Sequence, residues 1–226
     1  MTIEDNAILN VIANRRSVRG FLSDPVDPGL IRTILNTAAR APSGNNIQPW
    51  HVHVVHGEAR DRLSLALLAA FNADTPMQPD YQYYPSNWRD PYLSRRRENG
   101  WSLYDLLGIQ KGDNTQSKLQ HARNFSFFGA PAVIFITIDG DMGKGSWLDI
   151  GMFIQTFMIA ALAVGLCTCP QVALVAYPDI VRGELSIDAE QVLVCGISLG
   201  YEDSSHIANK LRTTRISVSE FAVFHQ

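Results

Sequence analysis

The chain has 226 residues, of which 46% are hydrophobic and 18% are charged, enough apolar material for one substantial core. We therefore expect one domain over residues 1–226, with at most one excursion from it. The formal net charge of -3, with basic residues spread along the chain, lacks the positive field that a general nucleic-acid binder needs.

The first predicted element is a short helix. Apolar residues recur at helical spacing over residues 8–12, and the pattern stops at Asn14, so Arg15 and Arg16 follow the helix C-terminus. Residues 1–10 have neither a basic segment nor a small-residue cleavage site, so no export signal is expected.

A second helix, a strand and a third helix follow. Asp27 stands at an N-cap position with Pro28 after it, and apolar residues over 31–38 share one face. Residues 50–55 alternate and are rich in β-branched side chains, which predicts a strand. The pattern over residues 58–71 predicts a helix.

Residues 72–112 differ from the segments on either side of them. Prolines, tyrosines and two tryptophans accompany the basic run Arg95-Arg96-Arg97, and no clean period is visible. We interpret this segment as an excursion from the core. Its aromatic residues Trp88, Trp101 and Tyr104 are more often packing residues than substrate contacts.

Two continuously apolar runs, residues 132–138 and 192–199, predict buried strands of an α/β or α+β sheet. Between them, residues 150–173 contain no charge, which a membrane span and a wholly buried helix would both explain. Gln155 and the lack of basic flanks favour the buried helix. The pattern Ser146-x-x-Asp149 predicts a capping box at its start.

Neither the cysteines nor the histidines predict a metal site. Cys167, Cys169 and Cys195 are odd in number and form no C-x-x-C pair, which is typical of reduced thiols in a cytoplasmic protein. His51 and His53 share one face of a strand, but no third ligand stands at a convincing spacing, so we predict no metal.

Two segments carry the chemistry. The first, Asn14-Arg15-Arg16-Ser17-Val18-Arg19, places three guanidinium groups and a hydroxyl within five residues, a set suited to a phosphate monoester or simply to a solvated basic corner. The second, residues 41–50, is dense in neutral hydrogen-bonding groups between Pro42 and Pro49. It suits recognition of hydroxyls and ring amides, or an ordinary connection from helix to strand.

The order and spacing of these segments resemble the FMN-dependent nitroreductase family. The resemblance rests on Arg15-Arg16-Ser17-x-Arg19, Ala39-Arg40-Ala41-Pro42-Ser43 and Asn46-x-Gln48-Pro49-Trp50, and continues through Cys169-Pro170-Gln171 to Asn209-x-x-Arg212-Thr213-Thr214-Arg215. It implies an α+β fold in which helices flank a central, mostly antiparallel sheet and a long buried helix lies at a dimer interface. The excursion is similar to a subgroup that includes 4-nitrobenzoate reductases.

The resemblance also implies the roles of particular residues around the flavin. The phosphate and ribityl chain would be held by Arg15, Arg16, Ser17, Arg19, Arg212 and Arg215. A loop from the other subunit would contribute Pro42, Ser43, Gly44, Asn46 and Gln48. The isoalloxazine ring would lie at Pro170, Gln171 and Val172, although many family members have an acidic residue and a glycine after this proline.

The implied activity is NADH- or NADPH-dependent reduction of nitroaromatic or quinone-like acceptors by a homodimer with FMN between its subunits. The chain has no G-x-G-x-x-G motif, so nicotinamide and acceptor would use the flavin site in turn, in two half-reactions. Alternatives with the same fold are a flavin reductase and a dehalogenase. An alternative of another class is a noncatalytic flavin-binding protein.

Overall fold

The computed structural model describes residues 6–226. The prediction that no export signal is present rests partly on residues 1–5, which lie outside this range. The helices are Ala7–Asn14 (α1), Pro28–Ala38 (α2), Gly57–Asn72 (α3), Tyr92–Leu106 (α4), Asn114–Ala122 (α5), Lys144–Ala163 (α6), Pro178–Leu185 (α7) and Val218–Phe221 (α8). The strands are His51–His56 (β1), Ala132–Asp139 (β2), Cys167–Gln171 (β3) and Gln191–Gly200 (β4).

The four strands form one sheet in the order β1-β2-β4-β3, and every neighbouring pair is antiparallel. This confirms the predicted α+β class with an antiparallel central sheet. The two continuously apolar runs are the central strands β2 and β4. Both of their faces are covered, so apolar side chains are needed on each.

Side chains that alternate along β2 divide between two cores. Val133 and Phe135 point to the face covered by α3 and α7, where they join a cluster of buried aromatic residues. Ile134 and Ile136 point to the opposite face, where α2 and α6 pack. The sheet is therefore the middle layer of the fold, and α6 lies on one side of it.

The predicted start of α2 is confirmed. The side chain of Asp27 accepts a hydrogen bond from the backbone N–H of Gly29 at 3.0 Å, and Pro28 is the first helical residue. The helix ends at Ala38, earlier than Pro42, because Arg40 and Ala41 donate to carbonyls three residues back and tighten the last turn.

The long helix α6 differs from its prediction in two respects. It begins after Gly143, without a side-chain cap, so the predicted capping box is wrong and Ser146 and Asp149 lie inside the helix on its buried face. The helix is also not wholly buried in one chain, since Leu148 is 72% exposed and Met152 is 38% exposed. The local sequence could not show that the chain enters the helix a turn earlier.

The same helix has the length and composition of a membrane span, with a mean hydropathy of 1.4. In the structure one of its faces packs on the sheet through Ile150, Phe153 and Phe157. It also carries the buried carboxylate of Asp149. This arrangement is that of a core helix covering a sheet, as the composition of the helix led us to expect.

The excursion contains a helix that the sequence did not predict. The 15-residue helix α4 has no buried residue, so no apolar stripe marked it in the sequence. The segment before it contacts the core through Tyr81, whose hydroxyl donates to the carbonyl of Val194 at 2.6 Å and whose ring makes a T-shaped contact with Trp147. The excursion therefore lies against the domain.

A second contact between the excursion and the core is an ion pair, and its removal should lower the stability of the protein. Arg182 pairs with Asp80 at 2.6 Å, with 15% of each side chain exposed, and Asp80 also accepts from the amide of Leu193. We expect Asp80→Ala to lower the free energy of unfolding by roughly 2 to 4 kcal/mol, because it leaves the amide of Leu193 without its acceptor and removes the nearer carboxylate from a mostly buried guanidinium.

Equilibrium urea denaturation of both variants measures this effect. The matched control is Asp179→Ala, which removes the other carboxylate near Arg182, one whose side chain is 94% exposed, and should cost under about 1 kcal/mol. Equal decreases in the free energy of unfolding in the two variants would show that the Arg182–Asp80 pair contributes no more than a surface ion pair.

Candidate functional site

The segment that follows α1 is held against the edge of the sheet. Ser17 pairs with Thr168 in parallel orientation, and the N–H of Val18 donates to the carbonyl of Thr168 at 3.0 Å. Val18 is fully buried, which fixes the register and leaves its neighbours Ser17 and Arg19 half-buried on the other side. The basic segment is therefore an extension of the sheet next to β3.

The buried side chain of Asn209 joins this segment to the C-terminal part of the chain. Its Oδ1 accepts from the N–H of Arg19 at 2.7 Å, and its Nδ2 donates to the carbonyl of Gly20 at 2.8 Å. Three residues later, Arg212 donates to the carbonyl of Asn209 at 2.7 Å. Asn209 thus places Arg212 beside the N-terminal arginines, a role that its sequence motif did not assign.

A cavity of 710 Å³ lies between these two segments, within the size range of small-molecule sites. It is lined by Ile12, Ala13, Asn14, Arg15, Arg16, Ser17, Arg19, Asn99, Gln155, Leu211, Arg212, Thr213 and Arg215. All six residues predicted for the phosphate end of the flavin are therefore brought together. Sequence reasoning missed Asn99, which comes from α4, and Gln155, which was noted only as a polar residue in an apolar helix.

The arginines of this cavity are short of counter-charges. Among residues 6–226, no carboxylate lies within the 4.0 Å of an ion pair from Arg15, Arg19, Arg212 or Arg215. Burial, and secondly the charge of Arg215, lower the pKa of Arg15. Clustered guanidinium groups without acids repel one another, so this cavity favours an anion.

Arg16 is the exception among the predicted phosphate residues. Its Nη2 forms an ion pair with the carboxylate of Glu202, and its Nε is buried without a hydrogen-bond partner. Glu202 follows the end of β4 and stands 186 positions from Arg16, so no sequence spacing indicated the pair. The structure thus places Arg16 at the cavity but gives its charge a protein partner.

The predicted loop residues lie away from this cavity; they are Pro42, Ser43, Gly44, Asn46 and Gln48. None of them lines the cavity of the arginines. The loop instead sits on α6, where the N–H of Gly44 donates to Oδ2 of Asp149 at 3.2 Å. One chain therefore does not bring the two predicted halves of the site together.

Pro170, Gln171 and Val172 lie at the end of β3 and at the turn that follows it. The side chain of Gln171 is buried, where it accepts from Ser198 and donates to the carbonyl of Asn124 at 3.1 Å. It is therefore used inside the protein, and a ligand could meet only the backbone here. Pro170 has no N–H, so only Gln171 and Val172 carry backbone amides here, and none of the three residues lines the cavity of the arginines.

The residues near the cavity do not form a protein nucleophile. Cys169 lies beside Ser17, and burial raises the pKa of its thiol to about 11, so the thiol stays protonated at neutral pH.

The histidines of β1 lie at the other edge of the sheet. His51 pairs with Asp139 at 2.9 Å, and His53 faces Thr137 across β1 and β2. In the described part of the chain, no three His, Cys, Asp or Glu residues group as metal ligands.

Comparison with known proteins identifies the family. The model of the Nitroreductase family matches residues 12–201. The 4-nitrobenzoate reductase of Pseudomonas putida is 39% identical over 214 residues, which cover 95% of this chain and 93% of that protein.

Two solved structures share the fold over nearly the whole chain. The FMN and NADPH-dependent nitroreductase NfnB from Sphigopyxis sp. strain HMH matches with a TM-score of 0.94 and 35% identity, over 98% of this chain and 100% of that chain. The FMN-dependent NfnB from Mycobacterium smegmatis, solved in complex with NADPH, gives 0.92 and 35%, over 96% and 97%. The chain therefore belongs to the nitroreductase family.

Proposed function

We propose that this protein is an oxidoreductase that holds FMN and uses NADH or NADPH to reduce nitroaromatic or quinone-like acceptors. The observation that carries the proposal is the cavity in which Arg15, Arg19, Arg212 and Arg215 meet without a carboxylate partner from residues 6–226. FMN ends in a phosphate monoester with nearly two negative charges, which guanidinium groups bind in bidentate geometry. The FMN and NADPH dependence of the similar structures supports the same assignment.

The residues present fit the cofactor at its phosphate end. Ser17 adds a directed hydroxyl beside the arginines, and Asn209 keeps the two arginine segments together. Toward the ring, the amides of Gln171 and Val172 at the end of β3 are the candidate donors to flavin heteroatoms. FMN, when bound, supplies hydride transfer, and the protein contributes binding, orientation and exclusion of water.

The second half of the proposed site comes from a partner subunit. The loop residues Pro42, Ser43, Gly44, Asn46 and Gln48 do not reach the cavity of their own chain, so we assign them to the flavin of the other copy. The apolar residues Leu148 and Met152 on the exposed side of α6 support a homodimer, because exposed apolar surface is typical of an interface.

The dimer makes its own prediction. In the absence of detergent, the protein should elute at about twice its monomer mass of 25.1 kDa. Leu148→Glu should shift it toward the monomer, because the new carboxylate would be buried at the interface. The control Leu65→Glu changes a leucine on α3 that is 69% exposed and should remain dimeric. Light scattering distinguishes the species, and a monomeric wild type that binds FMN fully would contradict the shared site.

We propose 4-nitrobenzoate and related nitroaromatic compounds as acceptors, since a curated relative at 39% identity is named for that substrate. Steady-state assays with 4-nitrobenzoate, nitrobenzene, benzoquinone and free FMN test this choice. Parallel lines in double-reciprocal plots are expected, because donor and acceptor visit one site in turn. Activity with free FMN alone would favour a flavin reductase, and release of halide from a halogenated aromatic would favour a dehalogenase.

We also propose that the protein works in the cytoplasm as a single domain over residues 1–226. Cys167, Cys169 and Cys195 are all free thiols, as is usual in a reducing compartment.

A further inference from the structure

The buried carboxylate of Asp149 has no charge partner. The residue lies on α6 and is 6% exposed, and no Lys, Arg or His nitrogen of residues 6–226 lies within 4.0 Å of it. Its one recorded hydrogen bond comes from the N–H of Gly44, which donates to Oδ2 at 3.2 Å. An acid that is buried with a single hydrogen bond and no counter-charge is unfavourable for stability.

The bond holds a loop whose backbone is unfavourable by itself. Gln48 has a φ angle of 51°, in the left-handed region that residues other than glycine and asparagine rarely adopt, and Asn45 and Asn46 lie in the same region at 48° and 60°. Ser43 supports the turn from within, since its Oγ accepts from the N–H of Gln48 at 3.0 Å.

The contact with Asp149 is the link between this loop and the rest of the protein. Across the described chain, it is the single hydrogen bond that joins residues 42–48 to any residue outside them. Within one chain the loop residues are mostly exposed, so packing against their own chain adds little to hold them. Between its buried ends at Ala41 and Pro49, the loop is therefore joined to α6 of its own chain through one buried acceptor.

We propose that Asp149 is a positioning residue, which holds the 42–48 loop on α6 in the conformation that completes the flavin site. The inference rests on the proposed function, because the loop matters to FMN only if it contacts FMN. Asp149 touches neither cofactor nor substrate in this account. It acts through the N–H of Gly44.

Three variants separate positioning from stability. Asp149→Leu fills the same space without an acceptor, and replacement of a buried charge by an apolar side chain is often neutral or stabilising. Asp149→Asn removes the charge but keeps an oxygen that can accept from Gly44. Ser146→Ala is the matched control, since Ser146 is buried one turn earlier on α6 and makes no recorded hydrogen bond to the loop.

The full-length proteins are compared by thermal unfolding, by hydrogen exchange of residues 42–48 without FMN, and by FMN titration. Asp149→Leu should unfold at or above the wild-type temperature, exchange the loop amides at least tenfold faster and bind FMN at least tenfold more weakly. Asp149→Asn should stay within about threefold of wild type in the exchange rate of the loop amides and in FMN affinity. Ser146→Ala should match wild type in both quantities.

Each outcome bears on one claim. Wild-type exchange of the loop in Asp149→Leu would overturn the positioning role whatever happens to FMN. Faster exchange with unchanged FMN affinity would show that the loop does not serve the flavin, which also overturns the inference. If wild-type protein binds no FMN while the loop still loosens in Asp149→Leu, the proposed function fails and only the mechanical contact remains.

Discussion

Arg15→Ala is expected to raise the dissociation constant of FMN at least tenfold. Arg15 is half-buried at the cavity and has no carboxylate within ion-pair distance among residues 6–226, so its charge is available to a phosphate. The loss of one charge-assisted hydrogen bond costs about 1.5 to 3 kcal/mol, and about 1.4 kcal/mol corresponds to a factor of ten. Arg16 cannot replace it, because Glu202 neutralises the neighbouring guanidinium.

Titration of FMN into the cofactor-free variants, followed by flavin fluorescence, measures the effect. The control is Arg32→Ala, which removes an exposed arginine on α2 that makes no ion pair with residues 6–226 and does not line the cavity. Its affinity should equal that of wild type. Unchanged affinity in Arg15→Ala would mean that the N-terminal arginines form only a solvated basic corner.

Mixed dimers should recover half of their flavin sites. If Arg15 from one subunit and Asn46 from the other serve the same flavin, Arg15→Ala and Asn46→Ala each damage both sites of a homodimer. A heterodimer of the two variants contains one intact site and one site that carries both changes. At limiting FMN, occupancy should therefore rise from near zero to about half of the sites, with wild-type affinity at those sites.

Subunit exchange must be verified before the titration is interpreted. Two differently tagged copies of each chain, purified in sequence over both tags, isolate the heterodimer, and tagged wild-type chains provide the control. A verified heterodimer without any recovered site would place Arg15 and Asn46 in the same subunit's pocket. The single-chain geometry favours recovery, because the 42–48 loop does not line the cavity of Arg15.

Local signals in the sequence were enough to predict much of the fold. Asp27 and Pro28 mark the start of α2 because their chemistry is that of a helix N-terminus. The apolar runs that became β2 and β4 are distinctive because both faces of these strands are covered. These elements were thus predicted near their observed bounds, whereas β3 and α7, which also bury residues, were not predicted.

Helix α4 and the contacts between distant residues could not be predicted in this way. Helix α4 buries no residue and left no period in the sequence. Ser146 and Asp149 have the spacing of a capping box, but the helix begins earlier and the acid turns toward Gly44. The sequence carries no local mark of a contact across 105 positions.

The candidate site likewise has a part that the sequence indicated and a part that only the structure shows. The family resemblance named the six residues of the phosphate end, and the structure brings all of them to one cavity. The family resemblance did not show that Arg16 forms an ion pair with Glu202, or that the side chain of Gln171 makes its hydrogen bonds inside the protein. These depend on partners that stand far away in sequence, so only the three-dimensional contacts reveal them.

The central claim is that the protein holds a flavin that nicotinamide reduces. The visible spectrum of the purified protein, recorded without oxygen before and after addition of NADPH and then NADH, tests it most directly. The account predicts flavin absorption that is bleached by at least one of the two donors and restored when 4-nitrobenzoate is added. A protein that takes up no FMN, or whose bound flavin is bleached by neither donor, would contradict it.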